Sequence, residues 1–340
     1  FDERAFIPGT FWEELNDCYA APTSALSFQG NCFPISLTFN PKKHRLEVHS
    51  PYPKSQPVNI DVKLKNSCTQ EKDASIHHTV FHEKAVLDHD PFQTPWRISG
   101  CWSPNHHEER FKVSMLHPEQ IVASHIQAFL KKHSITHKGS IKTIPLGNLP
   151  AKAVLISKHS SAPLSHLLRI MLHQSDNHIA NQLFKRIAKY TNTSKALRAS
   201  WEMAEIAALN VLQKHGIFPL PISYADGAGL SRNNRISASS LQRIMMVILK
   251  KRPSLIPLLP NNKSQHPLKT RFGALEHPLY AKTGQLKGTL SLVGYLNPAS
   301  KEAKIFTLFV QGHKHTVEKV KAVAQKNFNG TIGIWKQSIL

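Results

Sequence analysis

Residues 281–296 read AKTGQLKGTLSLVGYL, and how this stretch folds decides what kind of sheet the chain builds. Leu290, Leu292 and Val293 suit a buried strand, whereas Gly284, Gly288 and Gly294 each weaken one. Glycine inside a strand marks a place where a ligand or another backbone comes close. Lys282 adds a fixed positive charge and Thr283 a hydroxyl beside it. Together they describe a strand edge shaped to hold an extended, anionic molecule.

Working outward, a second strand-like run, KIFTLFVQG, follows SLVGYL, and a last helix is expected around 316–327. Upstream, Leu164, Leu167, Leu168, Met171 and Leu172 keep the i, i+3, i+4, i+7, i+8 spacing of an amphipathic helix. Ile179, Leu183, Phe184 and Ile187 form a second stripe, and the polar QSDNH at 174–178 separates the two. A third helix is expected from Lys195 to His215 with Gly216 as its stop, and Ser237 reads as the N-cap of ASSLQRIMMVILKK. A sheet backed by helices is the economical architecture for residues 151–340. Residues 1–150 look different: CFPISLTFN, HRLEVHSPYP and PVNIDVKL alternate with period two. One helix is expected there, over 118–135, with Ile121, Ile126, Phe129 and Leu130 on one face. The expectation is an α/β (α+β) chain: a β-rich accessory region followed by an antiparallel sheet with helices.

With 340 residues the chain can hold two domains. Its 43 basic and 22 acidic side chains give a formal charge of +21, which suits anionic partners. The basic residues are dispersed, without a block of five or interleaved aromatics, so nucleic acid is not expected as a partner. No apolar run reaches the roughly 18–20 residues of a membrane span. The chain opens on FDERAF without an initiator methionine, so it is expected to be numbered from inside a longer precursor with a signal peptide upstream. Cys18, Cys32, Cys68 and Cys101 lie in the first third and form no C-x-x-C, which argues for disulfides in an oxidising compartment rather than a zinc ribbon. Of three possible pairings, Cys18–Cys32 with Cys68–Cys101 is preferred, because each closes a local loop. SIHHTVFHEKAVLDHD at 75–90 is rich in histidine but lacks metal-ligand spacing, and neither a metal nor a cofactor is expected.

Ser175-Asp176-Asn177 falls in the break between two helices, and Lys282-Thr283-Gly284 opens a strand 107 residues later. Alone, the first is an ordinary helix cap and the second an ordinary strand start. In this order and setting they match two of the three motifs shared by class A β-lactamases and penicillin-binding proteins. SAPLSHLLRIMLHQSDNHIANQLFKRI (161–187), YADGAGLSRNNRISASSLQRIM (224–245) and AKTGQLKGTLSLVGYL resemble the penicillin-binding D-Ala-D-Ala carboxypeptidase/endopeptidase family of low-molecular-mass class C, an S13-like peptidase group. NDCYAAPTSALSFQGNCFPISL (16–37) resembles that family's cysteine-bearing accessory region. β-Lactamases share the short motifs but lack this region and the DGxGLSRxN stretch.

The resemblance implies a serine β-lactamase/transpeptidase-like domain at 151–340, with 1–150 as an accessory insertion. It implies hydrolysis of D-Ala-D-Ala stem peptides of peptidoglycan through an acyl-enzyme, inhibition by β-lactams, and a periplasmic location. Ser175 would relay a proton to the departing amine, Asn177 would hold a substrate amide, and Lys282 would face the substrate carboxylate. Thr283 would hydrogen-bond substrate, Gly284 would let the backbone approach it, and the Gln285 N–H would complete an oxyanion hole. Gln285 departs from the small hydroxyl residue common there. A larger departure is that no serine in the chain begins Ser-x-x-Lys; Ser50 and Ser134 each have a lysine one residue too far on. In the family that motif lies upstream of the accessory region, so this chain is expected not to acylate alone and to expose core surface. The alternative expectation is a non-catalytic remnant or peptidoglycan-binding module.

Overall fold

The computed structural model describes residues 1–49 less 2–3, 12–13, 16, 41 and 44, three strands within 60–101, and 108–142 less 116–117. It further describes 152, 154–191, 198–217, 222–263 and 267–312 less 287, and isolated positions beyond 312. The chain forms two compact units, the first made of residues 1–160, 177–201 and 225–232, the second of 161–176, 202–224 and 233–340.

In the first unit β1 (Cys32–Asn40) lies between β2 (Arg45–His49) and β6 (Glu108–Ser114), all antiparallel. Phe33, Ile35 and Leu37 are buried at alternate positions, as the period-two pattern requires. A second sheet has the order β3 (Ile60–Lys65), β5 (Trp96–Cys101), β4 (Ile76–Thr79), with β3 and β5 parallel. Most of the histidine-rich stretch 75–90 lies outside the described residues.

Helix α1 (Pro118–Lys132) corrects one expectation. Pro118, Ile121 and Ser124 are buried, while Ile126 and Phe129 are 42% and 57% exposed. Five residues at 100° each turn Ile126 about 140° away from Ile121, so the two never shared a face. A later helix, α3 (Asn177–Thr191), buries Asn181, Phe184, Lys185 and Ala188, whereas Ile187 is exposed. The stripe expected from its aliphatic residues is rotated because two polar residues take core positions and find partners there. The Lys185 ammonium donates to the Arg4 carbonyl at 3.0 Å and stands 4.9 Å from the Trp201 ring and 5.1 Å from that of Phe1. Burial of an ammonium is tolerable only with such compensation.

In the second unit α2 (Leu164–Gln174), α4 (Trp201–Lys214, entering it at Glu202), α5 (Ala238–Lys251) and α6 (Leu268–Phe272) accompany one antiparallel sheet. Its strands are β7 (Leu279–Leu286), β8 (Thr289–Leu296) and β9 (Lys304–Gln311), in that order. Leu279, Ala281, Leu292 and Phe306 face α6, with Phe328 packed edge-on to Phe272 and Phe306. Tyr280, Val293, Tyr295 and Ile305 face Met245 of α5 and Ile256 of the 3-10 helix Pro253–Leu258, on which α2 packs. The hydrophobic stripe of α2 is only half-buried, and Leu164 is exposed.

The helix ends follow from sequence. Ser237 caps α5 by accepting the Ser240 N–H at 3.1 Å. Gly216, at φ +76, closes α4 with paired bonds from Ile217 to Leu212 and from Gly216 to Gln213. The start of α4 at Trp201 is later than expected, and the helix expected around 316–327 lies outside the described residues apart from isolated positions.

Candidate active site

Helix α2 cannot continue past Gln174, because Ser175 adopts the left-handed conformation, φ 57 and ψ 45. The N–H groups of Ser175 and Asp176 both return to the Met171 carbonyl, and the chain restarts as α3 at Asn177. A left-handed serine costs on the order of 1 kcal/mol, and such residues persist where the surroundings hold them. Here the Lys282 ammonium donates to the Ser175 hydroxyl and, at 2.9 Å, to the Thr283 carbonyl. Burial lowers the Lys282 pKa from its ordinary lysine value, since an ammonium is poorly hydrated there.

The strand carrying Lys282 presents a half-covered edge. Residues 260–262 pair with its first part: Asn262 N–H donates to the Leu279 carbonyl and Ala281 N–H to the Pro260 carbonyl, each at 3.0 Å. Antiparallel strands alternate the direction of their backbone groups. Thr283 and Gln285 therefore turn theirs to the same edge, past the end of that cover, while Gly284 pairs with Ser291. An extended peptide can add as a further strand at such an edge. The glycines of this hairpin have packing and turn reasons. A Cβ on Gly284 would run into the Ser291 hydroxyl, one on Gly294 into the Tyr280 carbonyl, and Gly288 turns the hairpin at φ +77.

Asn177 is placed in the first unit. Its side-chain amide donates to the Tyr19 carbonyl at 3.0 Å, next to Cys18, which is bonded to Cys32 as expected. Within the loop so closed, Ser27 meets His178 at 2.6 Å, and Gln182 donates to the Ser24 carbonyl at 2.8 Å. The disulfide loop thus lies along the first two turns of α3. Tyr19 itself is pushed up to about 12, by burial first and then by Glu14 and Asp17.

Of the residues singled out from sequence, Ser175 and Lys282 are joined directly, and Thr283, Gly284 and Gln285 follow on the same strand. Cys68 and the side chain of Cys101 lie outside the described residues. Sequence reading marks the DGxGLSRxN stretch from Asp226 to Asn233 but gives no role to Asp226 or to Asn181; both are buried, and Asn181 accepts from the Gly227 N–H next to Asp226. Among the described residues no helix is long and apolar enough to cross a membrane, and no group of three or more His, Cys, Asp or Glu is placed to hold a metal.

Comparison with known proteins extends the likeness beyond these motifs. The D-alanyl-D-alanine carboxypeptidase DacB of Haemophilus influenzae is 28% identical over 311 residues, covering 90% of this chain and 62% of that protein. The chain therefore spans about three-fifths of that relative. The crystal structure of penicillin binding protein 4 from Haemophilus influenzae superposes with a TM-score of 0.76 at 25% identity, over 93% of this chain and 68% of that one. Its complex with a novel β-lactam gives 0.73 at 23% identity, over 91% and 70%. The α/β architecture with its antiparallel sheet is the transpeptidase-like fold expected. Residues 1–330 match the D-Ala-D-Ala carboxypeptidase 3 (S13) family, and it is to this family that the chain belongs.

Proposed function

We propose that these residues are the substrate-holding and proton-relaying part of a serine-type D-Ala-D-Ala carboxypeptidase and D,D-endopeptidase acting on peptidoglycan stem peptides. The observation that carries the reading is the Lys282 ammonium on the Ser175 hydroxyl, beside a strand edge half open to a peptide. In the reaction a serine oxygen bonds to the penultimate D-Ala carbonyl and the peptide bond to the leaving amine breaks. Ser175 passes a proton to that amine, and Lys282 keeps its hydroxyl oriented while facing the substrate carboxylate. Thr283 and Gln285 bind the extended peptide through the strand edge, with the Gln285 N–H directed at the oxyanion. Asn177 holds a substrate amide, and water then resolves the acyl-enzyme. β-Lactams, as acyl donors of similar shape, occupy the same site.

The acylating serine and its lysine base are not among these 340 residues, which contain no Ser-x-x-Lys. On this reading these 340 residues alone do not acylate, and the acylating form carries that motif in addition. The domain assignment follows: 1–150 as the accessory region and 151–340 as the transpeptidase-like part. The Cys18–Cys32 bond supports a periplasmic setting. The absence of the motif also favours a second reading, a wall-binding scaffold without chemistry.

Fluorescent-penicillin labelling of the protein from its native cells, with intact mass on the band, separates the two. A labelled band heavier than 38.2 kDa supports the enzyme. An unlabelled band at 38.2 kDa refutes it and leaves the scaffold.

A further inference from the structure

Four consecutive backbone N–H groups end on two buried side chains. Those of Gly227 and Ala228 donate to Oδ1 of Asn181 at 3.0 and 3.1 Å. Those of Gly229 and Leu230 donate to the Asp226 carboxylate at 3.2 and 2.9 Å. Asn181 is 1% exposed and Asp226 4%. The loop has no slack against the helix: a Cβ on Gly227 would run into the Ala180 carbonyl and lie 2.6 Å from Cβ of Phe184. Its exit is tied down by the Ser231 hydroxyl on the Pro8 carbonyl and by Arg232 N–H on the Gly9 carbonyl at 3.3 Å.

Asn181 stands one helical turn after Asn177, so the two project from the same side of α3. The first two turns of α3 are gripped twice, by the disulfide loop through Asn177, His178 and Gln182, and by the 226–231 loop through Asn181. A single amide oxygen uses both lone pairs to make the second grip.

We propose that Asn181 is a positioning residue for Asn177. Its side-chain oxygen locks the Asp226–Ser231 loop onto α3 and so fixes the turn from which the Asn177 amide meets its ligand. This rests on the reading of Asn177 as the holder of a substrate amide. The chemistry requires an uncharged acceptor oxygen at this position, since a carboxylate would be a second buried negative charge on the loop that Asp226 already serves, and an isosteric apolar side chain should not replace it.

The test compares N181L with the parent in the acylating form of the protein, by amide hydrogen exchange and by the kinetics of fluorescent-penicillin acylation. In N181L the Gly227 and Ala228 amides should exchange at least tenfold faster while Gly229 and Leu230 stay protected. Its limiting acylation rate should fall tenfold or more with the binding constant within about threefold of the parent. Fast exchange at Gly227 and Ala228 with parental acylation would overturn the proposal. If N181L does not fold, N181Q, which displaces the same oxygen by one methylene, is read in its place with the same criteria. A parent that is not labelled refutes the functional reading and this proposal with it; a labelled parent with an indifferent N181L refutes this proposal alone.

Discussion

Replacing Ser175 by glycine and by alanine separates its backbone role from its hydroxyl. Both variants lose the Oγ that accepts from Lys282, so they differ only in how well they bear φ 57. A non-glycine residue pays about 1–2 kcal/mol in the left-handed region. Alanine recovers about 0.4–1 kcal/mol through the smaller entropy of its unfolded chain. The net expectation is S175G more stable than S175A by roughly 1 kcal/mol, or about 2–4 °C in melting temperature for a folding unit of this size. Acylation of the Ser-x-x-Lys-bearing form should be impaired equally in both. Thermal unfolding by circular dichroism gives the first quantity and penicillin labelling the second. Equal melting temperatures would refute the strained turn. Parental labelling in S175G would refute the proton relay, because that variant keeps the turn and lacks only the hydroxyl.

K282M should impair acylation with the fold intact. Because the folded protein releases the Lys282 proton at lower pH than the unfolded chain, stability should rise with pH between the lowered folded value and about 10.4, and K282M should abolish that slope in denaturant titrations. Breaking the Cys18–Cys32 bond, which closes a loop of sequence separation 14, should cost about 3 kcal/mol, seen as a lower urea midpoint for the C18S/C32S variant. G294A should destabilise by about 1–3 kcal/mol, since its Cβ would lie 2.7 Å from Cβ and 2.8 Å from Cα of Ala281; an unchanged melting curve would refute the close strand approach. Sedimentation with isolated cell wall should weaken as salt rises if the +21 charge holds the protein there, and salt-independent sedimentation would exclude that role.

What could be read from the sequence was mostly local. Ser237 and Gly216 mark helix ends through chemistry confined to one turn, and the break at QSDNH separates two helices where the polar run interrupts both stripes. The motifs pair Ser175 with Lys282, and the structure joins them. The misreadings share a cause. On α1 a list of apolar residues stood in for helical angle, and on α3 Asn181 and Lys185 took core positions that polar residues seldom hold. Their places depend on Gly227, Ala228 and Arg4, which no window along the helix contains. The parallel pairing of β3 with β5 was hidden likewise, because period two reports a strand and not its neighbour.

The bond from Lys185 to the Arg4 carbonyl spans 181 residues, and Trp201 also donates to that oxygen. A ribosome adding about 5–20 residues per second puts Lys185 into the chain roughly 9–36 s after Arg4. For all that time the Arg4 carbonyl waits for these two donors, because the helix that carries Lys185 has not been made. The first unit is therefore completed late, by the reunion of its earliest and much later segments, and whatever keeps a nascent chain from clumping must cover that interval.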